Sequence, residues 1–222
     1  MQSAGRGRRG RGWESPAGTN IYYTLMLKPD FSSDCAPMLT LVMALAVAKG
    51  IRQTLRRDSE EAAAKVGIKW PNDIVVDGKK VCGILTEMSM EQGYIQHIVI
   101  GVGINVRKQE FPEEIRDRAA AIDEQCGFRI SRSQLIADIM EAFEEDYEIF
   151  LRTHDLKGLR ASYAELLVNQ DREVCVLDPK GEYRGIARGI NDQGELLVER
   201  QDGTVEEVYA GEVSVRGIYG YV

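Results

Sequence analysis

Residues 69–85 read KWPNDIVVDGKKVCGIL. Asp77-Gly78 sits between IVV and KKVCGIL, and both turn positions tolerate a positive φ, so the pair marks a two-residue β-hairpin. Upstream, Pro71 interrupts the β pattern and Asn72-Asp73 turns the chain, which holds polar groups at a strand end, where ligand pockets often lie. On spacing alone, an ordinary turn after proline accounts for Asn72-Asp73 better than a binding site does. Lys80 follows the hairpin turn. In a regular strand it shares a face with Cys82 and Ile84, and it points inward if they do. An ammonium on an apolar strand face needs an anionic partner, because its burial is otherwise costly. A snorkelling edge lysine is the other reading of that position.

Outward from this hairpin, β signals run from residue 66 to residue 107. A second turn, Glu91-Gln92-Gly93, separates ILTEMSM from YIQHIVIGVGINV, whose length and glycine boundaries predict a central strand. Residues 19–27 are β-branched and aromatic and read as a strand closed by Pro29. Ser32, Ser33 and Asp34 offer capping oxygens, Pro37 suits a first helical turn, and a helix is predicted to about Leu55 with Leu41, Leu45, Ala48 and Ile51 on one face. Residues 38–48 are apolar nearly all round, which marks a buried helix, and the run falls far short of the ~20 residues that span a bilayer. The charged residues 58–65 read as an exposed helix end or loop. Residues 111–127 read as loop and short helix. Residues 131–153 form an amphipathic helix capped by Ser131, with Leu135, Ile139, Phe143, Tyr147 and Phe150 as its stripe. Residues 155–167 add another short helix. From Asn169 onward, short strands alternate with turn clusters at roughly ten-residue spacing, the pattern of a small β-barrel. The expected organisation is an α/β domain over 1–168 and a barrel over 169–222.

Composition bounds the function. With 222 residues, 44% hydrophobic and 28% charged, the chain is globular and wholesale disorder is excluded. The basic start is not followed by the apolar core of a signal peptide. Cys35, Cys82, Cys126 and Cys175 form no Cys-x-x-Cys pair, and only His97 and His154 could join them, so reduced thiols are favoured over a zinc cluster. A net charge of −7 argues against a general nucleic-acid binder. Yet residues 5–11 read GRGRRGR, four arginines and three glycines. Glycines let backbone N–H groups approach an anion, and guanidinium forks grip phosphate or carboxylate. The alternative is a solvated arginine-glycine arm that contacts RNA; against it, WESPAGTNIYYTLML runs straight into a strand. The loop is not the Gly-x-x-x-x-Gly-Lys-Ser/Thr phosphate loop, so a conventional nucleotide-triphosphatase reading fails.

Together QSAGRGRRGRGWESPAGTNIY, KWPNDIVVDGKKVCGIL and IVIGVGINV resemble the biotin–protein ligases, the BirA-type biotin–[acetyl-CoA-carboxylase] ligases, and GEVSVRG resembles the end of that family's small barrel. The resemblance implies an α/β (α+β) fold: a class II synthetase-like, biotin ligase-like catalytic domain with a mixed sheet and helices, then an SH3-like β-barrel. It implies that biotin and ATP form biotinyl-5′-AMP, and that a carrier lysine then takes the biotin. By resemblance, Lys80 and Arg8 are catalytic. Gln2, Gly5, Arg6, Gly7, Arg8 and Lys80 contact biotin. Arg9, Arg11, Trp13, Asn72, Asp73, Asn105, Phe111 and Arg216 belong to the ATP and adenylate side, with the Phe111-Pro112 loop covering adenine. Mg²⁺ is implied by the ATP polyphosphate rather than by protein ligands.

The implied partner is a biotin carboxyl carrier protein or a similar biotin-accepting domain, with a cytoplasmic setting, no membrane, and a homodimer as a family-level expectation. Two departures stand out. Ala119-Ala120-Ala121 replaces the family's frequent Ala-Thr-Ser, and the chain opens at MQSAGRGRR without the family's upstream Ser/Thr-Thr-Asn segment or winged-helix domain. No DNA binding and a weakened hold on biotin are expected of the sequence as written. The competing readings are a lipoate or octanoate transferase of the same fold, a truncated non-catalytic biotin or adenylate binder, and the RNA-binding arm.

Overall fold

A computed structural model describes residues 2–10, 12–178, 181–210 and 214–217. Strand β1 (Ile21–Leu27) begins the first sheet, which β2 (Val66–Lys69), β3 (Asp73–Val76), β4 (Lys79–Glu91) and β5 (Tyr94–Ile104) complete. Asp77-Gly78 takes φ values of 51° and 74°, and Gln92-Gly93 takes 51° and 87°, the left-handed pairs that two-residue hairpin turns require. The order is β1-β5-β4-β3-β2, and the strands pair antiparallel. Among the described residues parallel pairing enters as isolated bridges, Ile68 with Leu167 and Lys80 with Ala119, so the sheet is mixed at its margins. The run expected at the centre is β5, one place from the edge; β4 is the central strand.

Helix α1 (Leu39–Arg56) packs on one face of this sheet, where Thr40 Oγ1 donates to Thr86 Oγ1 of β4 at 2.9 Å. Its apolar residues bury almost completely. The run Ser33–Arg56 is long and apolar enough by composition to cross a bilayer, with mean hydropathy 1.5, but 72% of the window lies inside the protein. That is a core helix. A 3₁₀ turn, Ser33–Met38, holds Pro37 and leads into it; Ser32 stands at the cap position without a side-chain capping bond. The charged stretch that follows is not merely an exposed helix end. It forms α2 (Glu60–Ala64), capped by Ser59, whose Oγ accepts the Ala62 N–H at 3.1 Å, and it buries Ala62 and Ala63 beneath its charges.

After the short α3 (Ile122–Cys126), α4 (Arg132–Thr153) crosses α1. Ser131 caps it by accepting the Gln134 N–H at 3.3 Å, and Leu135, Ile139, Phe143 and Phe150 are buried as the stripe requires. The crossing is close: a Cβ at Gly50 would lie 2.6 Å from Ile139 Cγ1, so glycine lets the helices approach. Two acids share the buried side of α4. Asp146 meets Lys49 at 2.5 Å, while Asp138 is held by Arg57 Nη2 at 2.8 Å, Thr54 Oγ1 at 2.6 Å and Gln134 Nε2 at 2.9 Å.

Helix α5 (Arg160–Leu166) leads into the second sheet of β6 (Glu173–Asp178), β7 (Gly181–Ile190), β8 (Leu196–Glu199), β9 (Val205–Val208) and β10 (Ser214–Gly217), ordered β10-β6-β7-β8-β9. It is a small SH3-like β sheet. The connecting chain closes the outer edge of β2, where the Val168 N–H donates to Ile68 O at 3.0 Å. The buried Trp70 indole N–H donates to Gly194 O of the second sheet's β7–β8 turn at 2.9 Å. One apolar core runs through α1, the first sheet and the inner residues of the second.

Candidate active site

The site begins with an irregularity in β4. Ile74 pairs with Cys82, but Val75 pairs with Lys80, so Val81 is an extra residue and the strand bulges. Lys80 is thereby moved out of phase with Cys82 and Ile84, contrary to the regular-strand expectation. Cys82 is fully buried in the core, and burial pushes its thiol pKa up. Lys80 turns instead to the opposite face, the face of Gly83, where a Cβ would lie 3.3 Å from Lys80 Nζ. The anionic partner it requires is Asp73, with Nζ and Oδ1 2.6 Å apart.

That opposite face is a glycine floor. Gly83 pairs with Gly103 and Leu85 with Gly101 across β4 and β5, and alternate strand positions share one face. The Trp13 indole lies on it: a Cβ at Gly103 would stand 2.5 Å from Trp13 Nε1, and one at Gly83 2.9 Å from the ring. Only glycine leaves room for a flat ring there. Lys80 Nζ lies 5.5 Å from the Trp13 ring centroid, within reach of a cation–π attraction.

The arginine-glycine loop folds over this floor. Arg6 bridges to Gly12, the Trp13 N–H donates to Gly5 O at 2.9 Å, and Ser15 Oγ donates to Gln2 Oε1 at 2.9 Å. A Cβ at Gly5 would stand 2.3 Å from Trp13 O, so Gly5 is needed for the loop to fold back. Arg8 Nη1 donates to Asn72 Oδ1 at 2.8 Å, and Nη2 donates to Ala210 O in the turn after β9. Asn72 Nδ2 in turn donates to Asp73 Oδ1 at 3.1 Å and to Ile84 O at 3.1 Å. Arg6 pairs at the surface with Glu87 at 3.3 Å. A cavity of about 300 Å³ results, lined by Gln2, Arg6, Gly7, Arg8, Trp13, Tyr22, Asn72, Lys80, Glu87 and the floor glycines, among others. Guanidinium and ammonium groups meet polar amides around one cavity, a setting for an anion.

The structure thus gathers Gln2, Arg6, Gly7, Arg8, Trp13, Asn72 and Lys80 around one cavity, with Gly5 and Asp73 touching its members. Asn105 is not at the cavity wall. It is buried, and its Oδ1 accepts from Asn20 Nδ2 at 3.3 Å and from Gln109 Nε2 at 3.4 Å. Phe111 is half-buried in the loop after β5 and does not line the cavity either. Arg11 lies outside the described residues, as do the side chains of Arg9 and Arg216, whose backbones fall in a 3₁₀ turn and in β10. Sequence reasoning missed Tyr22, Glu87 and the floor glycines. The alternation of Gly101 and Gly103 within one strand was the available signal, because glycines two apart clear one face. Among the described residues no group of three or more His, Cys, Asp or Glu side chains is arranged to hold a metal ion.

Residues 1–105 match the Biotin/lipoate A/B protein ligase family, and residues 171–216 the Biotin protein ligase C terminal domain. The chain is 30% identical to a biotin–[acetyl-CoA-carboxylase] ligase of Paracoccus denitrificans, over 95% of this chain and 88% of that protein. It belongs to the biotin protein ligase family. The bifunctional ligase/repressor BirA of Bacillus spizizenii is 37% identical over 96% of this chain, and the chain spans 64% of that protein's length. A structure of the Aquifex aeolicus biotin protein ligase in complex with biotin and ATP superposes with a TM-score of 0.81 at 29% identity, covering 97% of this chain and 86% of that one.

Proposed function

We propose that this chain is an ATP-dependent, AMP-forming biotin–protein ligase, organised as a biotin- and ATP-binding unit over 1–168 and an SH3-like unit over 169–222. The observation that carries the reading is the meeting of Arg8, Asn72 and Lys80 around a cavity floored by Gly83 and Gly103. In the first half-reaction a biotin carboxylate oxygen attacks the α-phosphorus of ATP and pyrophosphate leaves. Two anions must approach, and Lys80 with the loop arginines would lower that repulsion as charge builds on the phosphoryl oxygens. Mg²⁺ enters with the ATP polyphosphate as part of the substrate. In the second half-reaction a carrier lysine amine attacks the mixed-anhydride carbonyl, loses its proton, forms an amide and releases AMP. The loop folded over the floor would keep water from the anhydride between the two steps.

Gln2, Gly5, Arg6 and Gly7 are proposed on the biotin side, and Trp13, Asn72 and Asp73 on the adenylate side with Arg9, Arg11 and Arg216. Asn105 and Phe111 are proposed to act from beneath and beyond the cavity. The partner is proposed to be a biotin carboxyl carrier protein in the cytoplasm, with a homodimer as the assembly. Exchange of radiolabelled pyrophosphate into ATP, run with biotin or with lipoate, tests the reading. Exchange with biotin alone is expected. Exchange driven by lipoate would transfer the site to lipoate chemistry, and binding of biotin without exchange would make the chain a binder.

A further inference from the structure

Asn20 carries no role in the reaction described above, yet its buried side chain bonds to four residues beside the cavity. It lies just before β1 and is only 8% exposed. Its Oδ1 accepts the Val106 N–H at 3.0 Å, just past the end of β5. Its Nδ2 faces three acceptors: Gln109 Oε1 at 2.9 Å, Tyr22 OH at 3.0 Å and Asn105 Oδ1 at 3.3 Å. Two amide hydrogens cannot fully serve three acceptors, but Asn105 Oδ1 has a second donor in Gln109 Nε2. Tyr22 likewise has a second tie, since its hydroxyl donates to Pro16 O at 3.4 Å. Among the described residues of this cluster Gln109 Oε1 takes its hydrogen bond from Asn20 alone, while Gln109 Nε2 reaches Asn105. Gln109 roots the loop over 107–119 two residues before Phe111, and the far end of that loop returns to the site, where Ala120 N–H donates to Lys80 O at 2.9 Å and Lys80 N–H to Arg118 O at 2.7 Å.

We infer that Asn20 is a positioning residue: its buried amide joins the cavity wall at Tyr22 to the root of the 107–119 loop at Gln109, and so sets the affinity for the nucleotide rather than for biotin. The inference rests on the ligase reading, in which that loop covers adenine. A buried amide suits the post because it accepts from Val106 and donates to Gln109 through two separate atoms, whereas an ionised carboxylate of the same shape has no hydrogen to donate.

The test measures pyrophosphate exchange by the whole chain at varied ATP and varied biotin. Asn20→Asp keeps the acceptor for Val106 and removes both donated hydrogens. It is expected to raise KM for ATP roughly tenfold, the order of effect for a lost buried hydrogen-bond link, with KM for biotin and kcat little changed. Gln109→Ala cuts the same link from its half-exposed side and should reproduce the ATP defect; combined with Asn20→Asp it should add little. Should Asn20→Asp fail to fold, Gln109→Ala decides alone. An unaltered KM for ATP in Gln109→Ala, or equal rises for both substrates, overturns the inference while leaving the ligase reading intact. A wild-type chain that exchanges no pyrophosphate overturns both.

Discussion

At the scale of single residues, Lys80 owes its place beside the cavity to the bulge in β4. A lysine two places from a buried cysteine looks like a core lysine, and burying an ammonium costs several kcal/mol unless a counter-charge is at hand. The bulge at Val81 avoids that cost by turning Lys80 away from the core face, and Asp73 at 2.6 Å supplies the counter-charge. The ammonium is thus held beside the cavity by a strand-end carboxylate instead of wandering on a flexible stem. Lys80→Ala removes this cation but leaves Asp73 its bond from Asn72 Nδ2, so the fold should survive. Adenylate formation is expected to fall roughly 10²-fold, comparable with loss of one oxyanion donor. Far-UV circular dichroism should match the wild type. A Lys80→Ala protein with undiminished pyrophosphate exchange would remove Lys80 from the mechanism.

At the scale of elements, the α1–α4 contact holds two buried acids whose titrations run in opposite senses. Burial works against ionisation of Asp138, but hydrogen bonds from Arg57, Thr54 and Gln134 together outweigh it and bring its pKa down to about 2. A folded pKa below the unfolded value means that this carboxylate stabilises the fold above the ordinary Asp range. That stabilisation is lost as pH falls through about 4 toward about 2. For Asp146 burial dominates over Lys49 and the pKa is raised, so its contribution declines as pH rises through the carboxylate range. Asp138→Asn should therefore melt below the wild type at neutral pH, and the gap in Tm should close as pH is lowered toward 2. A gap that stays constant would place the effect in packing instead.

Neither acid was legible in the α4 stripe. Asp138 is kept by Arg57, 81 residues away, and Asp146 by Lys49, 97 residues away, and hydrophobic periodicity carries no information about such pairs. The hairpins were legible, because Asp77-Gly78 and Gln92-Gly93 have the backbone freedom that left-handed turns demand. The bulge was not, since nothing in KKVCGIL distinguishes Val81 as the extra residue. Likewise the arginine-glycine loop announced an anion site by composition. The bond from Arg8 to Ala210, 202 residues away, follows only from the packing of the second sheet.

At the scale of the whole molecule, the turn patterns after Asn169 suggest a separable barrel, but the packing joins it to the rest. Val174, Val176, Ala187, Ile190, Leu196 and Val198 are buried in the same apolar core as α1 and the first sheet. At the seam Gly194 sits against Leu41 and Leu156, where an added Cβ would come within 2.9 Å of either side chain. Its carbonyl accepts the indole N–H of Trp70, which is only 2% exposed and adjoins Pro71, Asn72 and Asp73. The Leu156 N–H likewise donates to Asp192 O at 2.8 Å. Removing residues 169–222 would strip this cover from Leu41 and Leu156 and leave the Trp70 N–H without its acceptor. The indole N–H would then turn to water at a net loss of about 0.5–1.5 kcal/mol, and each newly exposed apolar side chain of this size costs about 1.5–3 kcal/mol. Set against the 5–15 kcal/mol that typically holds a domain together, these losses are large. The shortened chain is expected to lose its cooperative melt and near-UV circular dichroism, and biotin-dependent exchange with them. The milder change Trp70→Phe, which deletes the bond to Gly194 and keeps most of the apolar contact, should lower Tm by several degrees. If the chain cut after residue 168 melts cooperatively near the wild-type temperature, the two sheets are independent folding units and the seam contributes little.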